Sequence, residues 1–501
     1  MNVATSNLPK TKIVCTIGPA SESSEMMGSF IDAGMNIARM NFSHGSHEDH
    51  QRRITSLRDI ARQKGTTVGI LQDLQGPKIR TGQMKNGGMP LTASQKVVLR
   101  FGTAQNETEI PIDYANLASD VDVGARILLD DGLLAMRVTE KHGQDVYAEV
   151  IYGGLLKSRK GVNFPDSHLS IPATTEKDIK DLFFGVSQNV DYVALSFVQQ
   201  AEDILKLKET IRGFGGNAPI VAKIEMKRAL DNLDAICDAA DAIMVARGDL
   251  GVECGFANVS SYQKRIIATA RKFGKPVIVA TQMLDSMQEN RTPTKAEVLD
   301  VANAVLDGAD ATMLSGESAS GKYPLLAVQT MRDLTARADA RVDVRVDVRV
   351  DVRSDSRGDV RAQNSNNCHC IVSRTNDTST REVTARSAAE MALTAKASAI
   401  VCLSLSGETA LLIASYRPHV PIFALGPRPE VARRLALVRG VYPVLSTELY
   451  SSDKALLGSV SMLLEQKLIQ KGDTIVITAG APLSAMRPTN MVKLHHITSE
   501  E

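Results

Sequence analysis

Short apolar runs alternate with amphipathic stretches through roughly the first two thirds of the chain. The runs fall at residues 13–18, 37–42, 68–74, 192–197, 220–225, 243–248, 277–282 and 312–317. Between them, residues 24–34, 201–214, 227–239, 260–273 and 294–308 carry apolar positions at helical spacing. A strand that reads as a continuous apolar run is covered on both faces, as in parallel sheets whose crossovers are helices. Eight such strands predict a closed (β/α)8 TIM barrel, an α/β fold. An open doubly wound sheet is the rival. It would more often place a Gly-rich phosphate loop after its first strand, where this chain has only Gly18-Pro19.

The pattern breaks between the third and fourth runs. Residues 82–170 are rich in glycine, and short alternating segments flank the turn Asp130-Asp131-Gly132. This predicts a small antiparallel β domain, a β-barrel lid, inserted in a βα loop. The catalytic barrel is then residues 1–81 and 171–340. Three copies of Val-Asp-Val-Arg follow at 342–353. Residues 341–367 read as an expanded low-complexity linker, with a solvated edge strand as the alternative. From 368 to 501 a further α/β domain is expected, with a helix at 382–396 and strands at 399–403, 421–425, 441–445, 474–479 and 492–497.

Composition narrows the function classes. The chain has 501 residues, enough for two to four domains, and 58 Lys and Arg balance 57 Asp and Glu. That balance gives no overall pull toward nucleic acid or membrane, so anion binding must be local. Six scattered cysteines fit a reduced compartment. Cys368-His369-Cys370 is too tightly spaced for the usual zinc pattern. Residues 1–12 hold no apolar core of a signal peptide, and a cytoplasmic location is expected.

Polar residues gather where the apolar runs end: Arg39, Asn41, Ser43, Asp73, Ser196, Lys223, Glu225, Arg247, Gly248, Asp249, Thr281, Ser315 and Glu317. In a barrel those ends meet on one face. Glu225 and Asp249 on neighbouring strands would hold a hard divalent ion with positions open to substrate oxygens. Lys223 and Arg39 would neutralise a phosphate. Gly248 would let the backbone approach a ligand, and a helix starting after Asp249 would offer N–H groups to a carboxylate. The set suits a small phosphorylated acid and a metal.

Several segments resemble the pyruvate kinase family. They are Lys12-Ile13-Val14-Cys15-Thr16-Ile17-Gly18-Pro19-Ala20, Ala38-Arg39-Met40-Asn41-Phe42-Ser43-His44-Gly45 and Asp73-Leu74-Gln75-Gly76-Pro77-Lys78-Ile79-Arg80-Thr81-Gly82. Ala222-Lys223-Ile224-Glu225, the run from Met244 to Glu253, Ala280-Thr281-Gln282-Met283-Leu284 and Met313-Leu314-Ser315-Gly316-Glu317 follow in the family's order. The resemblance implies phosphoryl transfer from phosphoenolpyruvate to ADP, giving pyruvate and ATP in glycolysis. It implies Mg²⁺ (or Mn²⁺) on Glu225 and Asp249, and Lys223 as the stabiliser of the phosphoryl group in flight. Thr281 would sit near the enolate carbon, and Arg39, Lys223, Arg247, Gly248, Asp249 and Thr281 would form the substrate site. Arg80, Lys160, His44 and Asn41 would face the nucleotide, and a homotetramer is expected.

Asn41, Ser43 and Asp73 match ligands of a monovalent cation, but Lys78 stands where K⁺-dependent relatives carry Glu. Leu74 and Gln75 resemble the K⁺-independent branch, whereas Thr81 resembles the dependent one. Two cations confined in one pocket repel, so Lys78 is expected to replace K⁺. The segment Ser404-Leu405-Ser406-Gly407-Glu408-Thr409 resembles the family's effector loop. Ser404, Ser406, Gly407 and Thr409 would cradle the phosphate of a small-molecule activator, and Glu408 leaves its identity open. Two other classes remain at this point, a metal-dependent lyase or aldolase acting on a pyruvate enolate and a non-catalytic relative. Arg80, Lys160 and the inserted domain weigh against the first. Intact Lys223, Glu225, Asp249 and Thr281 weigh against the second.

Overall fold

The computed structural model describes residues 9–84, 87–104, 106, 108–350, 379–446, 454–481 and 488–498. The eight apolar runs form the strands β1 (Lys12–Thr16), β2 (Ile37–Asn41), β3 (Gly69–Asp73), β4 (Tyr192–Leu195), β5 (Ile220–Ile224), β6 (Ala242–Ala246), β7 (Val277–Ala280) and β8 (Ala311–Leu314). They pair in parallel, each with its neighbours in this order, and β8 closes on β1. Burial explains the runs: nearly every residue of these strands is buried, on one side in the barrel and on the other against helices.

Each strand stops one to three residues short of the apolar run. Glu225, Arg247, Gly248, Asp249 and Thr281 therefore lie just past the strands. The helix expected after Asp249 instead opens at Arg247 and runs Arg247–Cys254, so Asp249 is in its first turn. The helix expected at 227–239 is split into Lys227–Asp231 and Leu233–Ala239. Two further helices begin at capping boxes, in which a side-chain oxygen at each end satisfies an otherwise orphaned N–H. They are His47–Gln63, capped by Ser46 with Asp49, and Glu176–Ser187, capped by Thr175 with Asp178.

Among its described residues, the insertion between β3 and β4 takes its regular structure from strands and a short helical turn at Leu117–Asp120. Six strands form one sheet and two more, Met89–Leu91 and Gly154–Leu156, form another. Both sheets close over a single apolar core that includes Leu91, Val97, Ile127, Val150 and Leu156. Pairing is antiparallel as expected, except that Lys96–Phe101 runs parallel to Glu109–Ile112. The lid touches the barrel where Val252 packs on Leu128 and Ala135 and where Asn163 Nδ2 donates to Glu253 Oε1 at 2.8 Å.

After β8 and a short helix at Gly316–Ala319 the chain forms a long helix, Pro324–Val350. This corrects the expectation of an irregular linker from 341: the helix runs on into the Val-Asp-Val-Arg repeat. Once a helix is nucleated, each added residue gains a hydrogen bond, so a repeat without an apolar stripe can still extend it. The rest of the expected linker, 351–367, lies outside the described residues, as does Cys368-His369-Cys370. The last domain is a five-stranded sheet in the order Val441–Leu445, Ile422–Gly426, Ala399–Leu403, Thr474–Ala479, Met491–His496. Only its final strand is antiparallel.

This domain is fixed beneath the barrel, at the starts of the barrel strands. Arg439 Nη2 meets Asp339 Oδ1 at 2.7 Å, and Arg417 Nη2 meets Asp310 Oδ2 at 2.8 Å. Lys12 Nζ donates to the Val441 carbonyl at 2.7 Å, and Tyr192 Oη to that of Arg434 at 2.8 Å. No helix among the described residues is long and apolar enough to cross a membrane.

Candidate active site

Lys223, the penultimate residue of β5, is the centre of the barrel mouth. Its Nζ donates to Ser196 Oγ at 2.7 Å and lies 3.2 Å from Asp73 Oδ1 and 2.9 Å from Glu225 Oε1. Burial alone would lower the ammonium's pKa; Asp73 and Glu225 together outweigh it and raise it. Lys223 is therefore a fixed cation rather than a base. Ser196 is itself aimed by donating to the Leu74 carbonyl at 2.8 Å. Gly76 passes directly beneath this corner with φ +71°, and a Cβ there would come within 2.7 Å of the Phe197 ring. No other residue fits that approach.

Asp73, at the end of β3, is buried and binds two cations. Arg39 Nε reaches its Oδ2 at 2.7 Å, and Arg39 Nη1 donates to Thr16 Oγ1 at 3.0 Å. Burial raises the Asp73 carboxyl's pKa, but Lys223 and Arg39 overcome this and hold it below the usual range. Arg39 is thus pinned in extended form toward the mouth. Asn41 Oδ1 accepts the Ser43 N–H at 3.1 Å, while Ser43 and His44 are exposed. Leu74 is buried.

Glu225 is 2 % exposed, and its Oε2 accepts the Phe197 N–H at 2.8 Å. Burial pushes its carboxyl up; Lys223 opposes this and Asp249 adds to it. Asp249 faces the same space from the first turn of its helix, and its Oδ1 lies 3.5 Å from Lys78 Nζ. A buried carboxylate faced by a second one fits a divalent cation, which removes the repulsion. The donor set therefore suits Mg²⁺, which binds through one or two carboxylates and leaves positions for substrate oxygens.

Thr281 is held in strain, with φ +66° at a β-branched residue and Gln282 following at +53°. Its Oγ1 donates to the Ala280 carbonyl at 2.6 Å and accepts the Gly248 N–H at 2.9 Å. The Gly248 N–H is thus taken by Thr281.

Arg247 is not brought to the mouth as expected. Its guanidinium turns under the strand ends, donating to Asp300 Oδ1 at 2.8 Å, to the Thr281 carbonyl at 2.6 Å and to the Ala280 carbonyl at 3.2 Å. It braces the strained Thr281 turn. Glu317 plays a similar part, accepting the N–H groups of Leu284 and Ser315.

Lys78 runs from the lid hinge toward Asp249, beside Gly161, where an added Cβ would come within 3.2 Å of Lys78 Cε. Arg80 pairs with Gly161 across the hinge and donates Nη1 to the Arg159 carbonyl at 3.1 Å. Lys160 makes an ion pair with Asp130 at 2.8 Å, inside the lid. Reading the sequence missed the Asn163–Glu253 bond between lid and barrel. An alternating strand carries no signal of its partner across another domain.

The effector-loop residues stand apart from this site. Gly407, at φ +81°, donates its N–H to Ser404 Oγ at 3.0 Å, and the Glu408 N–H donates to Ser406 Oγ at 3.4 Å. Glu408 is bound by Arg381. Thr409 turns inward, 2.6 Å from Thr489 Oγ1.

Fold and site together define a lidded (β/α)8-barrel enzyme that gathers two carboxylates, a lysine and an arginine at one mouth. Comparisons with known proteins define it further. The family model "Pyruvate kinase, barrel domain" matches residues 8–328, and "Pyruvate kinase, alpha/beta domain" matches 382–495. A pyruvate kinase of Geobacillus stearothermophilus is 43% identical over 495 residues, 98% of this chain and 80% of the relative. One from Staphylococcus haemolyticus is also 43% identical, over 98% of this chain and 81% of its own. A crystal structure of a Cryptosporidium parvum pyruvate kinase superposes with TM-score 0.88 at 34% identity, covering 97% of this chain and 96% of that one. The chain belongs to the pyruvate kinase family. It is a phosphotransferase that moves the phosphoryl group of phosphoenolpyruvate to ADP, giving pyruvate and ATP.

Proposed function

We propose that the transfer is carried out at the barrel mouth by Lys223, Arg39, Thr281 and the carboxylates Glu225 and Asp249. The observation that carries this is the position of Lys223: its ammonium is held charged between Asp73 and Glu225 and aimed by Ser196. A phosphoryl group in transfer spreads negative charge over its oxygens, and a preorganised cation stabilises that charge more than the ground state's. Glu225 and Asp249 hold Mg²⁺, or Mn²⁺ in its place, which supplies Lewis-acid charge to the substrate oxygens. Arg39, fixed by Asp73 and Thr16, binds the phosphate. Thr281 presents its hydroxyl beside the Gly248 backbone, where it orients the enolate and takes part in its protonation. Lys223→Met should abolish ADP-dependent pyruvate formation while phosphoenolpyruvate still binds. Normal turnover in that variant would remove the assignment.

The nucleotide enters between this mouth and the lid, facing Arg80, Lys160, His44 and Asn41. Lys160 must leave Asp130 to reach it, so lid closure exchanges that ion pair for a phosphate.

The chain works without K⁺. Lys78 supports this: its ammonium already lies 3.5 Å from Asp249, and Asp73 already pairs with Arg39 at 2.7 Å and with Lys223 at 3.2 Å. A monovalent cation there would face three fixed positive charges. Full activity is expected in a buffer whose only monovalent cation is a bulky organic one, and Lys78→Glu should create a K⁺ requirement. A wild-type enzyme nearly inactive until K⁺ is added would overturn this.

The Ser404–Thr409 turn binds a phosphorylated activator, and the enzyme acts in glycolysis as a cytoplasmic homotetramer. Ser404→Ala with Thr409→Ala should remove activation and leave basal turnover.

A further inference from the structure

The loop that leaves β2 takes its shape from outside. It runs from Asn41 to Gly45, at the mouth end of the strand. Within it, the His44 N–H donates to the Asn41 carbonyl at 3.2 Å and the Ser43 N–H to Asn41 Oδ1 at 3.1 Å. Side chains from two helices hold it more closely. His50, the fourth residue of the helix His47–Gln63, has its Nε2 2.9 Å from the His44 carbonyl. Lys177, the second residue of the helix Glu176–Ser187, donates its Nζ to the Phe42 carbonyl at 2.6 Å. Both anchors are themselves held. The His50 ring stacks on Phe42, with centroids 4.1 Å apart and planes 11° from parallel. Lys177 pairs with Asp181 at 2.6 Å, and Asp181 also meets His47 Nε2 at 2.7 Å.

The helix itself does not need the His50 bond, because Ser46 and Asp49 already close its capping box. Packing does not need it either. A carbonyl only accepts, so Nε2 carries the proton and Nδ1 is left as a bare lone pair. That Nδ1 is buried and, among the described residues, has no hydrogen-bond partner. An apolar side chain in this place would avoid that cost. What histidine adds is the bond to the loop. Burial lowers the pKa of the ring, against the His44 bond, and favours its neutral form. Gly45 then turns the chain away at φ +82°, a conformation that other residues rarely hold. The peptide between His44 and Gly45 is fixed by that turn and by His50 together.

We infer that His50 and Lys177 are positioning residues for the nucleotide, which hold the loop Asn41–Gly45 by its Phe42 and His44 carbonyls and so set where the Asn41 and His44 side chains stand. The inference rests on the reading that Asn41 and His44 face the nucleotide. The anchors grip backbone alone and leave the Ser43 and His44 side chains exposed. A loop already ordered loses less conformational entropy when ADP binds than one that must be ordered first. Phosphoenolpyruvate does not draw on these anchors, because Arg39 is fixed separately by Asp73 and Thr16.

The test is steady-state kinetics of wild type, His50→Leu, His50→Gln and Lys177→Met, each beside a thermal melt. His50→Leu removes the donor and should raise KM for ADP roughly 3- to 10-fold, the equivalent of one lost hydrogen bond. KM for phosphoenolpyruvate and kcat should change less. His50→Gln puts an amide N–H where Nε2 was and should bring KM for ADP back toward the wild-type value. Lys177→Met, at a half-exposed side chain, should raise KM for ADP in the same sense as His50→Leu. A residue that only packs would give His50→Gln no advantage over His50→Leu and would move the melt and both KM values together. That pattern, or an unchanged KM for ADP in His50→Leu, would overturn the inference. If His50→Leu does not fold, Lys177→Met decides, and an unchanged KM for ADP there overturns it. His44→Ala separates the two possible failures. A raised KM for ADP in His44→Ala beside an unchanged one in His50→Leu overturns the positioning role alone. An unchanged KM for ADP in His44→Ala overturns the nucleotide reading, and the inference with it.

Discussion

The two ends of the barrel use the same side chains for opposite ends. At the mouth, Arg39, Lys223 and Lys78 face Asp73, Glu225 and Asp249; beneath, Lys12, Arg417 and Arg439 face Asp310 and Asp339. The difference is solvent. Asp249 and Lys78 keep 30% and 29% of their side-chain surface exposed, and the pair is open at 3.5 Å. Arg439 and Asp339 keep 7% and 6%, and meet at 2.7 Å. A loose, wet pair can be rearranged by a ligand, whereas a tight, dry one resists because separating it strands a buried charge. At the mouth the strand-borne pairs are also tight and dry, and the open pair is the one past the strand ends, Asp249 with Lys78, which is left to await a substrate. Packed secondary structure makes the joint, so its charges lock two domains together.

The sharpest way to break the comparison is at the mouth. Asp249→Ala should lower turnover by about three orders of magnitude or more, with weaker Mg²⁺ dependence and an unchanged unfolding temperature. Mg²⁺ titration of activity beside a thermal melt checks both halves. A melt that collapses with the activity would mean that Asp249 belongs to the architecture instead.

At the joint the outcome should reverse. Asp339 accepts from Thr11 Oγ1 at 2.9 Å and from the Thr11 N–H at 2.8 Å as well as from Arg439. Arg439→Met leaves that carboxylate buried without its cation and should destabilise the fold by about 3–5 kcal/mol. Chemical denaturation should show it, while KM for phosphoenolpyruvate in the folded fraction stays near the wild-type value.

Glu253, between mouth and lid, sharpens the contrast with a smaller effect. It is buried, and that burial raises its carboxyl to about 7, with Asn163 opposing and Asp249 adding. The folded state therefore holds this proton more tightly than the unfolded chain. Its contribution to stability is full below the ordinary carboxylate range and is lost as pH rises to about 7. Glu253→Gln keeps an acceptor for Asn163 and removes the titration. Its stability should fall less between pH 5 and 7 than that of wild type, leaving it more stable at pH 8 by on the order of a few kcal/mol. Parallel pH profiles would place the Glu253 charge in solvent.

Much of this was legible in the sequence, and the exceptions have physical causes. All eight barrel strands were readable because both of their faces are buried, which forces continuous apolar runs. Their ends were not, because a strand ends where its hydrogen bonds do, and polar residues just past that point still belong to the run. The helices at His47–Gln63 and Glu176–Ser187 went unread, although Ser46 with Asp49 and Thr175 with Asp178 are start signals that could have found them. Lys223, Glu225, Asp249 and Arg39 were named from position and chemistry and do converge.

Arg247 shows what the chain order withholds. Its type and place are those of a substrate ligand, yet its partners Asp300 and Gln263 arrive on helices well downstream and turn it under the strand ends. The sequence by itself determined the barrel, the lid, the last domain and the identities of the groups at the mouth, since those follow from local periodicity and residue chemistry. Only the tertiary structure decided which charges are satisfied. That Lys78 reaches Asp249 and that Arg247 braces Thr281 are facts of distance between segments far apart in the chain. Electrostatic energy depends on those distances and on burial, neither of which is written in the order of residues.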